Sequence, residues 1–492
     1  MLFSSVVFLF VFLPLTLAGY YMLPRSFRNV FLTVASLLFY AWGEPKFVFV
    51  MIASILMNYV FGLLVVKRED PGYQKRILTV MVAANLSLFF VFKYLNFTIR
   101  NLNYIFGGAI PQTHIVLPIG ISFFTFQAMS YVFDVAMGRG EVQKNPINVM
   151  LYVSLFPQLI AGPIVRYETV ANEIQTRREN LSDFVGGFRR FSVGLAKKMI
   201  LSNSVALLAD QAFGYGDTSE LSCAMAWLGV LAYAFQIYFD FSGYSDMAIG
   251  LGRMFGFHFN ENFNYPYISR TVSEFWNRWH ISLSSWFRDY LFYPVSRKAV
   301  PLGKKVKQRW GKAAGRLTPT VIALAVVWFS TGVWHGASWG YILWGVYYGT
   351  LLISSLILQP TFKKWIKKLN IDTNTPWFAA FQILRTMFLV LLGYVLFRSA
   401  TLGQAMGYYG AMFGLADNAL TDPAAMDALK NHFSALVLCA VGSTPVVSWL
   451  QKKLGRLGSS EAVKNIVCLI LMILSATYIV SSSYNPFIYF AF

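Results

Sequence analysis

Two histidines and their neighbours carry the chemistry that this sequence offers. His335 sits in Gly332-Val333-Trp334-His335-Gly336-Ala337-Ser338-Trp339-Gly340, within a stretch from Leu317 to Phe362 that contains no Asp, Glu, Lys or Arg. Ionisable side chains at membrane depth are costly and usually line a cavity or pathway. An imidazole suits proton transfer there, because its ordinary pKa of about 6.5 lets it take and return a proton near neutrality. Trp334 and Gly336 flank it, the glycine leaving room for a reactant. The plain alternative is a structural histidine satisfied inside an apolar bundle.

The second histidine, His280, lies in Ser273-Glu274-Phe275-Trp276-Asn277-Arg278-Trp279-His280-Ile281-Ser282-Leu283-Ser284-Ser285-Trp286-Phe287-Arg288-Asp289-Tyr290. This segment is too polar for a lipid-facing span and too aromatic for a solvated loop. Read as one helix, it places Trp276, His280, Ser284 and Phe287 on one face and Arg278, Ser282 and Ser285 on another. Such a helix suits the wall of a partly wet chamber, with Trp276, Asn277, Arg278, Trp279, Ser282, Ser285 and Arg288 as candidate binding groups. His280 also has a plain reading, as a partner for a backbone carbonyl or a lipid phosphate. Upstream, Asp240, Tyr244 and Asp246 interrupt an apolar segment. Buried carboxylates need partners, and Arg253, Arg270 or Arg278 are the expected ones. A structural role for the two aspartates weighs at least as much as a catalytic one. Gln158 falls in Phe156-Pro157-Gln158-Leu159-Ile160-Ala161-Gly162-Pro163, whose prolines and glycine predict a bent or re-entrant piece lining a cavity.

The elements that must position these groups are membrane helices. The 492 residues are 56% hydrophobic, 17% aromatic and only 13% charged. A soluble chain carries roughly a quarter charged residues. Apolar stretches long enough to cross a ~30 Å hydrocarbon core recur from 2–22 to 464–481. About 11 spans plus re-entrant pieces are expected, all-α, around a central chamber.

The net charge of +19 falls in short segments between spans, the pattern of the positive-inside rule rather than of a nucleic-acid binder. Arg25, Arg28, the 67–76 segment, Arg177, Arg178, Lys197, Lys198 and Lys363 to Lys368 read as cytoplasmic. The strongest case is the 297–316 loop, with Arg297, Lys298, Lys304, Lys305, Lys307, Arg309, Lys312 and Arg316 and no acidic residue. It sets topology, and an anionic phosphate-bearing donor would also fit it. The mildly acidic 399–431 stretch then lies outside, as does the N-terminus. The three cysteines are far apart, so neither a metal site nor a disulfide framework is expected. The segment from Met1 to Met22 reads as a retained first span, not a signal peptide.

His280 within Trp276-Asn277-Arg278-Trp279-His280 and His335 within Trp334-His335-Gly336, 55 residues apart, resemble the histidine pair of the membrane-bound O-acyltransferase (MBOAT) family. Phe156 to Ile164, Tyr238 to Asp246, Phe275 to Tyr290 and Tyr484-Asn485-Pro486-Phe487-Ile488-Tyr489-Phe490 are similar to the branch that acylates bacterial polysaccharides. Length favours its alginate-acetylating type. The resemblance spans essentially residues 1–492 and implies a single acyltransferase domain in a bacterial inner membrane. It implies acyl transfer from a cytoplasmic thioester, with acetyl-CoA or an acyl carrier as donor substrate and no permanently bound cofactor. His335 is then the expected base and His280 its companion, while polar groups of the 276–290 segment stabilise the developing oxyanion. The acceptor is an exported polysaccharide or an SGNH-type partner enzyme outside the membrane. The competing reading is a transporter or flippase for a lipid-linked glycan, or more simply a scaffold. A paired histidine beside a basic segment fits the acyltransferase better.

Overall fold

The structure is a computed structural model describing residues 1–415, 417–455, 460–482 and 484–488. Among these residues the regular elements are all helical, as hydrocarbon surroundings require of a backbone that must satisfy its own hydrogen bonds. Among the described residues, eight helices are long and apolar enough to cross a membrane, or nine if Pro423–Gly442 and Val446–Lys453, bent by 70° at their junction, are counted as one span. Shorter helices accompany them. Arg25–Ala41 and Ile121–Ala136 are helices of 17 and 16 residues. Next to the piece expected to bend, the helix breaks at Leu155 into Pro146–Ser154 and the short turn Phe156–Leu159.

The described residues divide into two compact units: those of Met1–Ile200, Asp240–Glu261 and from Ser460 on form one, those of Leu201–Phe239 and from Asn262 up to 455 the other. In the first unit, helix Ile121–Ala136 is buried on nearly every face. Asn58 and Asn85 exchange side-chain hydrogen bonds at 3.0 Å, clasping two apolar helices through their amides. Glycines bring helix Leu181–Ala196 onto the last turns of Cys223–Met254. A Cβ on Gly194 would meet the Gly243 carbonyl at 2.5 Å, and one on Gly187 the Gly250 carbonyl at 2.5 Å.

That approach corrects two expectations. Lys197 and Lys198 sit not in a loop but in a widened helical turn, Lys197–Ser202. Lys198 pairs with Asp240 at 2.7 Å, and both side chains are almost fully buried. Asp246 takes Lys197 and Arg190, each at 2.6 Å. The aspartates therefore pair with none of Arg253, Arg270 and Arg278. Backbone proximity at the glycines decides the partner, which sequence distance does not reveal. The Asp240 carboxylate also accepts from the Ile488 N–H at 2.9 Å, and Lys198 donates to the Pro486 carbonyl. Of the terminal motif, Tyr489 and Phe490 lie outside the described residues.

Past the end of Cys223–Met254, His258 meets two carboxylates. Its Nδ1 lies 2.7 Å from Glu173 and its Nε2 3.4 Å from Asp183. Burial opposes charge on the ring, but Glu173 and then Asp183 outweigh it and hold the imidazole above its ordinary value. The protonated ring therefore stabilises the fold below about pH 6.5, and that contribution is lost as pH rises through the raised value. In thermal unfolding scans, wild type should exceed His258→Gln most near about pH 5.5, the gap closing by about pH 8.5. A gap that widens with pH would refute the pairing.

In the second unit the basic 297–316 segment is helical rather than a loop. The helical stretch Tyr293–His335 is interrupted and reversed at Gly311, whose φ of 88° suits glycine. The two arms fold back on each other where Gly303 and Gly315 touch, an added Cβ on Gly303 meeting the Gly315 carbonyl at 2.7 Å. Lys and Arg are good helix formers, so a charge run there is no obstacle to a helix. The 399–431 stretch likewise contains helix Leu402–Met412 and the start of Pro423–Gly442.

Candidate active site

His335 is the last residue of its helix, and Gly336 leaves the helical conformation in an extended one. A turn follows, and Ser338 caps the next helix, Trp339–Lys368, by accepting the Tyr341 N–H. The two helices pack backbone to backbone. A Cβ on Gly332 would lie 2.6 Å from the Tyr341 carbonyl, one on Gly345 2.4 Å from that of Trp328, and one on Gly336 2.4 Å from the Tyr341 ring. Small residues of this kind let membrane helices approach closely. The result is an aromatic cage: the His335 ring lies 4.9 Å from Trp334, 4.9 Å from Trp344 and 5.1 Å from Phe397. His335 is 8% exposed.

His280 reaches the same place from another direction. The segment 273–290 is not one helix. Val272–Arg278 ends at Trp279, His280 adopts a left-handed φ of 46°, and Ile281–Phe287 begins afresh. The expected common faces therefore do not exist. The break comes from a neighbouring stretch: the Asn264 N–H donates to the Arg278 carbonyl at 2.9 Å, and the Ile281 N–H to the Asn262 carbonyl at 3.0 Å. The buried His280 ring lies 6.0 Å from Trp334, so one indole touches both histidines.

The remaining candidates separate clearly. Trp276 packs against Trp328 at 4.7 Å, Tyr348 at 4.9 Å and Trp344 at 5.5 Å, joining the cage around His335. Trp279 stacks on Phe275 at 5.6 Å. Ser282 is buried beside His280, and Ser285 is half-buried. Asn277 and Arg288 are exposed, Arg288 pairing with Asp289 at 3.1 Å. Arg278 pairs with Glu274 at 2.8 Å. Gln158, Asp240, Tyr244 and Asp246 belong to the first unit and make their contacts there. Gln158 donates to the Tyr152 carbonyl, and Tyr244 stacks on Phe3 at 4.5 Å.

Asn262 escaped sequence reasoning. Its Oδ1 lies 3.1 Å from His280 Nδ1 and accepts from the Ser282 hydroxyl at 2.8 Å. The available signal was the alternation Asn260, Asn262, Asn264 just before Tyr265-Pro266, which in extended chain puts the three amides on one side. No cluster of three or more His, Cys, Asp or Glu able to hold a metal occurs among the described residues.

Comparison with known proteins adds ancestry to this geometry. The sequence model of the membrane-bound O-acyltransferase family matches residues 142–397, a range that includes both histidines. A probable alginate O-acetylase of Azotobacter vinelandii is 41% identical over 431 residues, covering 86% of this chain and 80% of that protein. One of Pseudomonas putida is 37% identical over 517 residues, covering 100% of both chains. A peptidoglycan O-acetyltransferase of Helicobacter pylori is 30% identical over 541 residues, covering 100% of this chain and 98% of its own.

Proposed function

This chain belongs to the membrane-bound O-acyltransferase family, and from that premise we propose that it carries acetyl groups from a cytoplasmic thioester to hydroxyls of an exported cell-surface polysaccharide or of a partner enzyme outside the membrane. It is a multi-pass membrane O-acyltransferase. The proposal concerns donor, acceptor and the residues that act. The observation carrying it is the meeting of His280 and His335 across Trp334 in a buried aromatic cage.

In this reading His335 takes the proton of the incoming hydroxyl as its oxygen attacks the thioester carbonyl. The carbon–sulfur bond breaks, the new ester keeps the acetyl group, and the proton goes to the departing thiolate. The cage keeps water from the thioester, which would otherwise hydrolyse. His335 stands at the carbonyl end of its helix, where the macrodipole favours the positive charge a captured proton brings. Acetyl-CoA is the proposed donor and an alginate-like glycan the leading acceptor, in keeping with the alginate O-acetylases to which the chain is similar.

The test is reconstitution in proteoliposomes with acetyl-labelled acetyl-CoA on one side and candidate glycans, or a secreted partner enzyme, on the other. Label should appear as hydroxylamine-sensitive ester on the acceptor. Folded protein that moves glycan across the bilayer yet transfers no label would replace this reading with the transporter.

A further inference from the structure

We infer that Asn262 is a positioning residue that fixes the proton of His280 on Nδ1, leaving Nε2 as the accepting nitrogen of the neutral ring. The inference rests on the placing of His280 in the acyl-transfer site.

Asn262 is 1% exposed, and its side-chain oxygen faces three groups. His280 Nδ1 lies at 3.1 Å, the Ser282 backbone nitrogen at 3.2 Å and the Ser282 hydroxyl at 2.8 Å. An amide's oxygen and nitrogen exchange places by a flip unless a neighbour of fixed polarity decides between them. Here the Ser282 backbone N–H decides, because it can only donate, so the atom facing it is the carbonyl oxygen. That oxygen can only accept. His280 Nδ1 must therefore carry hydrogen to bond to it, and the lone pair of the neutral imidazole sits on Nε2.

The backbone enforces the same arrangement. A left-handed histidine costs about 1–3 kcal/mol and persists only where its surroundings impose it. The imposing segment is 262–264, through the two backbone hydrogen bonds that bracket His280. Asn262 thus sets the turn with its main chain and the ring with its side chain. A ring held this way accepts from an O–H or N–H and, while neutral, cannot donate to a thioester oxygen through Nε2. The matching substrate group is an amide N–H of an acyl-CoA, because the single hydrogen of the incoming hydroxyl goes to His335.

The experiment compares wild type, His280→Ala, Asn262→Ala, Asn262→Asp and the double variant Asn262→Ala/His280→Ala, all full-length and reconstituted. Elution profile and thermal midpoint check the fold. Asn262→Ala should lose about 10- to 100-fold in transfer rate, the cost met when a group orienting a metal-ligating histidine is removed. Asn262→Asp keeps the accepting oxygen and should recover to within about threefold of wild type. A residue that merely fills space would tolerate alanine better than a buried carboxylate, so this order reports the hydrogen bond. The double variant should be no slower than His280→Ala. The loss should appear chiefly as a raised KM for acetyl-CoA, the reactant whose amide N–H groups the ring accepts from. Asn262→Ala within about twofold of wild type, Asn262→Asp slower than Asn262→Ala, or losses that add in full would each overturn the inference. If His280→Ala itself transfers at the wild-type rate, the site reading fails instead.

Discussion

His335→Ala should lower acetyl transfer by about 10²- to 10⁴-fold, the range that a positioned acid–base group contributes. Each tenfold step corresponds to about 1.4 kcal/mol of barrier, so the variant should forfeit about 3–5 kcal/mol of transition-state stabilisation. Truncation in a cage built by Trp334, Trp344 and Phe397 also leaves a cavity. His335→Gln therefore belongs beside it, since glutamine fills much of the space and offers hydrogen bonds but cannot take a proton. Both variants should elute as monodisperse protein and bind acetyl-CoA with affinity near wild type, because the loss lies in the chemical step. Substantial turnover by folded His335→Gln would remove His335 from the proton path and leave it a packing residue.

The visibility of these residues in sequence differed for physical reasons. His335 stood out because 46 residues around it hold no Asp, Glu, Lys or Arg, a contrast that composition alone exposes. His280 stood out by its aromatic and polar neighbours, yet the helix drawn through it was wrong. Nothing local in Ser273 to Tyr290 forbids a helix, since the stretch has no Gly or Pro. The break is imposed from residues 262–264, and a long-range backbone constraint leaves no mark on the segment it bends. Asn262 was missed for the same reason. Its role arises only when a residue 18 positions away is brought to its side chain. Membrane helices and the all-α class were readable because apolar length is a one-dimensional property. The reversal at Gly311 was not, because one glycine turns a helix back while the lysines on either side look like a loop.

The aspartates offer the sharpest contrast between a structural and a chemical reading. Lys198→Met should destabilise the protein by about 3–5 kcal/mol, because it leaves the Asp240 carboxylate buried without its counter-charge. The two side chains are 1% and 2% exposed, so water cannot substitute for the lost ammonium. Asp240→Leu alone should do comparable damage by stranding the lysine. Combining Lys198→Met with Asp240→Leu should recover most of the stability, since a well-packed apolar pair of similar volume often equals a buried ion pair. Recovery would be incomplete, because the Ile488 N–H and Pro486 carbonyl also lose their partners, each worth about 1 kcal/mol. For the same reason the segment around Pro486 should become sensitive to limited proteolysis in both single variants. Thermal midpoint and acetyl transfer per folded molecule, measured together, separate the readings. A stable double variant that still transfers acetyl assigns the pair to holding the fold. A stable double variant without transfer would return Asp240 to the chemistry, and an unaltered midpoint in Lys198→Met would deny the pair its structural weight.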